Sequence, residues 1–155
     1  MSLRVERSRA YPVVVGDAFT TTLRAPLAEV FSRRFGPLPA VREVRDQDGD
    51  WGTVGQTRTI VLADGGTLRE ELTEVSDGNR FGYRIGDVTG PMRVVAASLE
   101  GAWTFTPVGT GTRISWSWTV HPAPYSSMLM PVFGRLWQGY AGLALERLEQ
   151  LLLAD

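Results

Sequence analysis

A chain of 155 residues, 43% hydrophobic and 21% charged, can bury a core of its own and is read as one domain spanning 1–155. Its net charge of -1 gives no electrostatic ground for nucleic-acid binding, and with no cysteine it has no disulfide, thiol nucleophile or cysteine-held metal. No run approaches the roughly 18 apolar residues of a membrane span, MSLRVERSRA lacks the apolar centre of a signal peptide, and all 16 basic residues are arginine, so a bacterial, cytoplasmic, soluble protein is expected.

The first loosely alternating run, Leu3–Val15, predicts a strand. Pro26 suits the first turn of a short helix, PLAEVFSRRF, which Gly36, Pro37 and Pro39 end. Val41–Val44 predicts a short strand, followed by the polar turn Asp46–Asp50. Alternating runs follow over Thr57–Leu62, Thr67–Val75, Arg80–Ile85 and Arg93–Phe105, separated by the turn clusters DGG, SDGN and GDVTGP. A last strand, Arg113–Val120, comes after PVGTGT.

From about Ser127 the period changes from two to 3.6. Leu129, Phe133, Leu136, Trp137, Tyr140, Ala144, Leu148 and Leu151 form one stripe, with Arg135, Gln138, Glu146 and Glu149 opposite. That predicts a helix of more than about twenty residues, with Pro131 either near its first turn or kinking it. Gly134, Gly139 and Gly142 weaken its propensity and give either close approach to the sheet or mobility. Arg147 falls within the apolar arc and is expected to snorkel to water.

The segment TRTIVLADGGTLREELTEV, Thr57–Val75, places charge where the pattern asks for an apolar face. With Asp64–Gly66 as a three-residue loop, Leu62 faces Leu68, Ile60 faces Glu70 and Arg58 faces Leu72. Arg58 and Glu70 are then diagonal neighbours on the leucine side. Charges there are costly unless paired or serving a cavity. A structural salt bridge and a polar spot in a ligand pocket both remain open. A four-residue turn, Ser76–Asn79, pairs Leu72 with Tyr83 and Glu70 with Ile85. A turn near Pro107–Thr112 opposes Trp103 to Trp116.

Other constellations carry less. His121 is the only histidine, so any histidine triad must use it; it sits before Pro122 at an expected rim position. Asp46, Asp48 and Asp50 start like a calcium loop, but Trp51 and Thr57 stand where glycine and the bidentate glutamate belong. Adjacent Glu70 and Glu71 face opposite sides and cannot form an acid/base couple. Neither a Walker motif nor G-x-G-x-x-G occurs, so no cofactor is expected, and no metal. Trp51 is expected at a rim. Trp103, Trp116, Trp118 and Trp137, with Tyr83, Phe105 and Tyr140, fall on inward positions, as plain core or as cavity lining.

The stretches PLAEVFSRRFGPLP, WGTVGQTRTI, DGGTLREELTEV, RFGYRI, LEGAWTFTPVGTGTRISWSW and LERLEQLLL resemble the START-like (SRPBCC) superfamily, in its polyketide cyclase/dehydrase-type branch. The resemblance spans about Asp17 to Leu153. It implies an α+β helix-grip fold: a curved antiparallel sheet around the long C-terminal helix, short helices near the N-terminus, and a hydrophobic cavity between. It carries no catalytic residue across. A small apolar or aromatic ligand, lipid- or polyketide-like, is expected to contact Arg58, Glu70, Tyr83, Trp103, Phe105, Trp116, Trp118, Trp137 and Tyr140. One alternative is a cyclase, aromatase or dehydratase using Arg58, Glu70 or Tyr83. Another is a protein-interaction module with a vestigial cavity. The oligomeric state is left open.

Overall fold

Alternation and turn chemistry produce one seven-stranded antiparallel sheet in the computed structural model, which describes residues 2–154. The strands are β1 (Leu3–Tyr11), β2 (Val41–Arg45), β3 (Thr57–Leu62), β4 (Thr67–Ser76), β5 (Arg80–Gly86), β6 (Ala96–Val108) and β7 (Gly111–Pro122), ordered β1-β7-β6-β5-β4-β3-β2. Helices α1 (Val15–Arg24), α2 (Leu27–Val30) and α3 (Met130–Leu152) pack on its inner face. This is the expected helix-grip architecture.

Several boundaries differ from the sequence reading. The first strand stops at Tyr11, before Pro12, and the run to Val15 belongs to a turn and the start of α1. The buried residues of that helix, Ala18, Phe19, Thr22 and Leu23, have helical, not alternating, spacing. The helix expected over PLAEVFSRRF is a single turn, since the chain leaves helical geometry at Phe31. The Phe31 ring then packs 5.1 Å from Trp116 and 5.7 Å from Tyr140. Pro91 starts a 3-10 turn, Pro91–Val94, so β6 begins at Ala96 rather than Arg93.

The first hairpin is shifted by two residues from the expected register. Its loop is Ala63–Gly65: Leu62 N–H donates to Gly66 O at 2.8 Å, and Gly65 takes φ +91°, which glycine alone adopts freely. Asp64 Oδ1 accepts from Gly66 N–H at 2.8 Å and locks the turn. Ile60 therefore faces Leu68, and Arg58 faces Glu70 directly rather than diagonally. An even shift leaves every side chain on its expected face. In the next hairpin Leu72 faces Tyr83 and Glu70 faces Ile85, as expected. The route is different: Ser76 pairs with Arg80, and a bulge at Thr73 restores the count.

On α3 the buried positions are Met130, Phe133, Trp137, Tyr140, Ala141, Ala144, Leu145 and Leu148. Leu129 is half exposed in a preceding 3-10 turn, outside the stripe assigned to it. Pro131 lies in the first turn without a kink to explain. The helix glycines serve close approach: a side chain on Gly139 would meet the Phe35 ring, and one on Gly142 the Arg7 guanidinium. Arg147 reaches back to donate to Glu29 O at 3.2 Å. No helix of the described residues is long and apolar enough to cross a membrane.

Candidate functional site

Between the sheet and α3 lies an apolar cavity of about 80 Å³. Its floor carries Trp103, Trp116, Trp118 and Tyr83; Arg58, Glu70, Ile60 and Leu68 close one side; Phe31 and Tyr140 cover it. Leu27, Leu38, Pro39 and Met92 are its half-exposed residues and mark where it approaches solvent. Of the two openings the sequence suggests, the start of the long helix does not line the cavity, whereas Ala25, Leu27 and Arg58 of its wall also border a second pocket with Gln47, Asp50 and Trp51 of the Asp46–Gly52 loop. A cavity of this size is smaller than the roughly 150 Å³ that holds benzene, so a ring-sized ligand must push side chains outward.

Seven of the nine expected contact residues line it: Arg58, Glu70, Tyr83, Trp103, Trp116, Trp118 and Tyr140. Phe105 and Trp137 do not. Phe105 packs 5.3 Å from Phe19, and Trp137 lies 4.9 Å from Trp116, so both back the wall rather than form it. Trp116 is the hub, with Trp103 stacked at 5.2 Å and Trp118 edge-on at 5.5 Å. Such pairs add about 0.5–1.5 kcal/mol each beyond the area they bury.

The polar pole is the cross-strand pair of β3 and β4. Arg58 Nε donates to Glu70 Oε1 at 2.6 Å, with the two side chains 8% and 5% exposed. Burial pushes the Glu70 carboxyl above its ordinary range, and Arg58 offsets part of that. Trp51, expected at a rim, is instead buried, with its ring 3.9 Å from the Arg58 guanidinium carbon. Gln47 Oε1 accepts from Arg58 Nη1 at 3.3 Å.

Two residues of the site escaped the sequence reading. Gln56 accepts from Gly52 and Thr53 N–H through Oε1 and donates to Asp48 O and Asp50 O through Nε2. It thereby ties the aspartate-rich loop and sets Trp51 over Arg58. Thr22 of α1 lines the cavity, and its buried hydroxyl has no partner among the described residues. A threonine inside an unrecognised helix gave no signal.

Tyr83 Oη accepts from Trp116 Nε1 and Trp118 Nε1, both at 2.9 Å. Tyr140 Oη donates to Pro39 O at 2.8 Å, tying α3 to the loop before β2. Burial raises the pKa of both phenols. His121 lies away from the cavity, half exposed, with Nε2 2.7 Å from Glu100 Oε2. Among the described residues no group of three or more histidine, aspartate or glutamate side chains is placed to hold a metal.

The curved sheet, the gripped helix and the cavity between them define a START-like helix-grip protein. Residues 18–152 match the family described as polyketide cyclase / dehydrase and lipid transport, and the chain belongs to that family. No curated protein matches in sequence. Among solved structures, Ara h 8.0201 superposes with a TM-score of 0.73 at 16% identity, over 100% of both chains. MLL2253 from Mesorhizobium loti gives 0.68 at 19% identity, over 97% of this chain and 96% of that one. DynU16, from the dynemicin biosynthetic locus, gives 0.64 at 16% identity; 94% of this chain is covered but only 47% of DynU16. At these identities the likeness is one of fold.

Proposed function

We propose that this protein binds a small, flat, largely apolar molecule between the sheet and α3. The observation that carries the reading is the cavity itself, walled by aromatic faces with one polar pole, Arg58–Glu70. Trp103, Trp116, Trp118 and Tyr140 are assigned the apolar contacts, and Tyr83, Arg58 and Glu70 the polar ones. Because the cavity is only about 80 Å³, binding goes with displacement at its half-exposed edge, Leu27, Leu38, Pro39 and Met92. The lack of cysteine suits a reducing compartment such as the cytoplasm.

The small volume also favours one second reading, an interaction module whose cavity is filled by its own side chains. Titration with a hydrophobic fluorescent probe separates the two. Roughly micromolar binding, with quenched or shifted tryptophan emission, is expected. No binding, together with a native mass spectrum free of co-purified small molecules, would favour the interaction module.

A further inference from the structure

Tyr83 carries a hydrogen-bond donor that none of the described residues takes up. Its residue faces Gly101 of β6, and Gly101 faces Trp118 of β7. A side chain on Gly101 would land in the Tyr83 ring. With only hydrogen there, the ring lies across β6 and its oxygen reaches the indoles of β7. An indole N–H can only donate, so in both 2.9 Å bonds the tyrosine oxygen is the acceptor. The phenolic proton is left over, with no hydrogen-bond acceptor among the described residues. Glu70 is its diagonal cross-strand neighbour, yet the Glu70 carboxylate bonds to Arg58.

A buried donor without an acceptor is costly, and a hydroxyl that accepts two hydrogen bonds is polarised into a stronger donor. Tyr83, Trp116 and Trp118 all line the cavity. Burial keeps the phenol protonated. We infer that the Tyr83 hydroxyl is the anchor for an uncharged oxygen acceptor, a ketone or quinone carbonyl conjugated to the ligand's ring. This rests on the binding reading above and names the class of ligand. The ring is called for by the aromatic side chains Phe31, Trp103, Trp116, Trp118 and Tyr140 that line the cavity with the hydroxyl. The lack of charge follows from Arg58: the one cationic side chain lining the cavity among the described residues is already spent on Glu70, so an anionic ligand would meet an occupied partner.

Acetophenone and isopropylbenzene, nearly equal in shape, test it, because only the first has a carbonyl. In the wild-type protein both are expected to bind, and the infrared carbonyl stretch of labelled acetophenone is expected at lower frequency than in an apolar solvent. Tyr83→Phe should weaken acetophenone about tenfold, abolish the frequency shift and leave isopropylbenzene nearly unchanged. Trp118→Phe keeps the hydroxyl but removes one polarising donor, and should shrink the shift without abolishing it. It decides the matter if Tyr83→Phe fails to fold. If both probes bind but neither substitution alters the frequency or the ratio of affinities, the anchor is overturned and the binding reading stands. If neither probe binds the wild type, both fall together.

Discussion

The two walls of the cavity are buried alike and built on opposite principles. On the β6–β7 side, Trp116 is 1% exposed, packs against aromatic rings and donates to the Tyr83 oxygen. On the β3–β4 side, Arg58 and Glu70 are 6% and 4% exposed and hold each other by charge. Dispersion and burial sum over many weak contacts, so loss at the aromatic wall follows the volume removed. A buried ion pair stores two large opposing terms, desolvation and attraction, so loss at the polar wall depends on which partner remains. A cross-strand pair on the outer face of the neighbouring β4–β5 strands shows how much burial matters. There Arg84 and Glu71 pair at 2.7 Å, but with 58% and 39% exposure water screens them, and such pairs contribute about 0–1 kcal/mol.

That contrast is broken most forcefully at its centre. Trp116→Ala should cost about 5 kcal/mol, the upper end for a large aromatic, because it also removes a bond to Tyr83. No second substitution to alanine should restore it. Chemical denaturation measures the loss; a change under about 1 kcal/mol would mean the wall refills by collapse.

Arg58→Met should cost about 3–5 kcal/mol by stranding the Glu70 carboxylate. Adding Glu70→Leu should recover most of the loss, whereas two independent sites would simply add. The same denaturation series reads both, and additivity in the double variant would show that the pair is not coupled. Arg58→Met also lifts the one cationic influence that lowers the Glu70 pKa. Its deficit should therefore shrink as the pH falls and the carboxyl becomes neutral.

The smallest effect is the pH dependence of the intact pair. Because burial raises the Glu70 pKa in the folded state, folding favours its protonated form. That stabilisation is complete below the ordinary carboxylate range and is lost as pH rises through the raised pKa. Between those limits wild-type stability should climb on acidification, relative to Glu70→Gln, by at most about 1.4 kcal/mol per pH unit. Equal pH slopes for the two proteins would place the Glu70 pKa at its ordinary value.

The faces of Arg58, Ile60, Leu62, Leu68, Glu70, Tyr83, Ile85, Trp103, Trp116 and Trp118 were legible because side-chain direction needs only parity, and parity survives a shift of two. The register itself was not, since DGG offers two loops of three residues and Asp64 decides between them through a bond to Gly66. Tyr83 faced Leu72 as read because a shorter turn and the Thr73 bulge cancel. The amphipathic period of α3 named most of its buried side, while α1 was lost because Val13–Val15 reads equally well as strand. Trp51 and Gln56 were out of reach for another reason. Their partners are set by a loop whose path depends on side-chain-to-backbone bonds, and neither alternation nor helical period encodes those.

The five tryptophans have a spectroscopic consequence. Trp103, Trp116, Trp118 and Trp137 form one array with neighbouring ring centres 4.9–6.0 Å apart. Indoles that close share their excited states, and a fixed chiral array gives them strong near-ultraviolet dichroism. Trp51 stands apart from that array and has a cation on its face instead. The molecule thus has two intrinsic chromophores, one reporting the order of the aromatic wall and the other the position of Arg58.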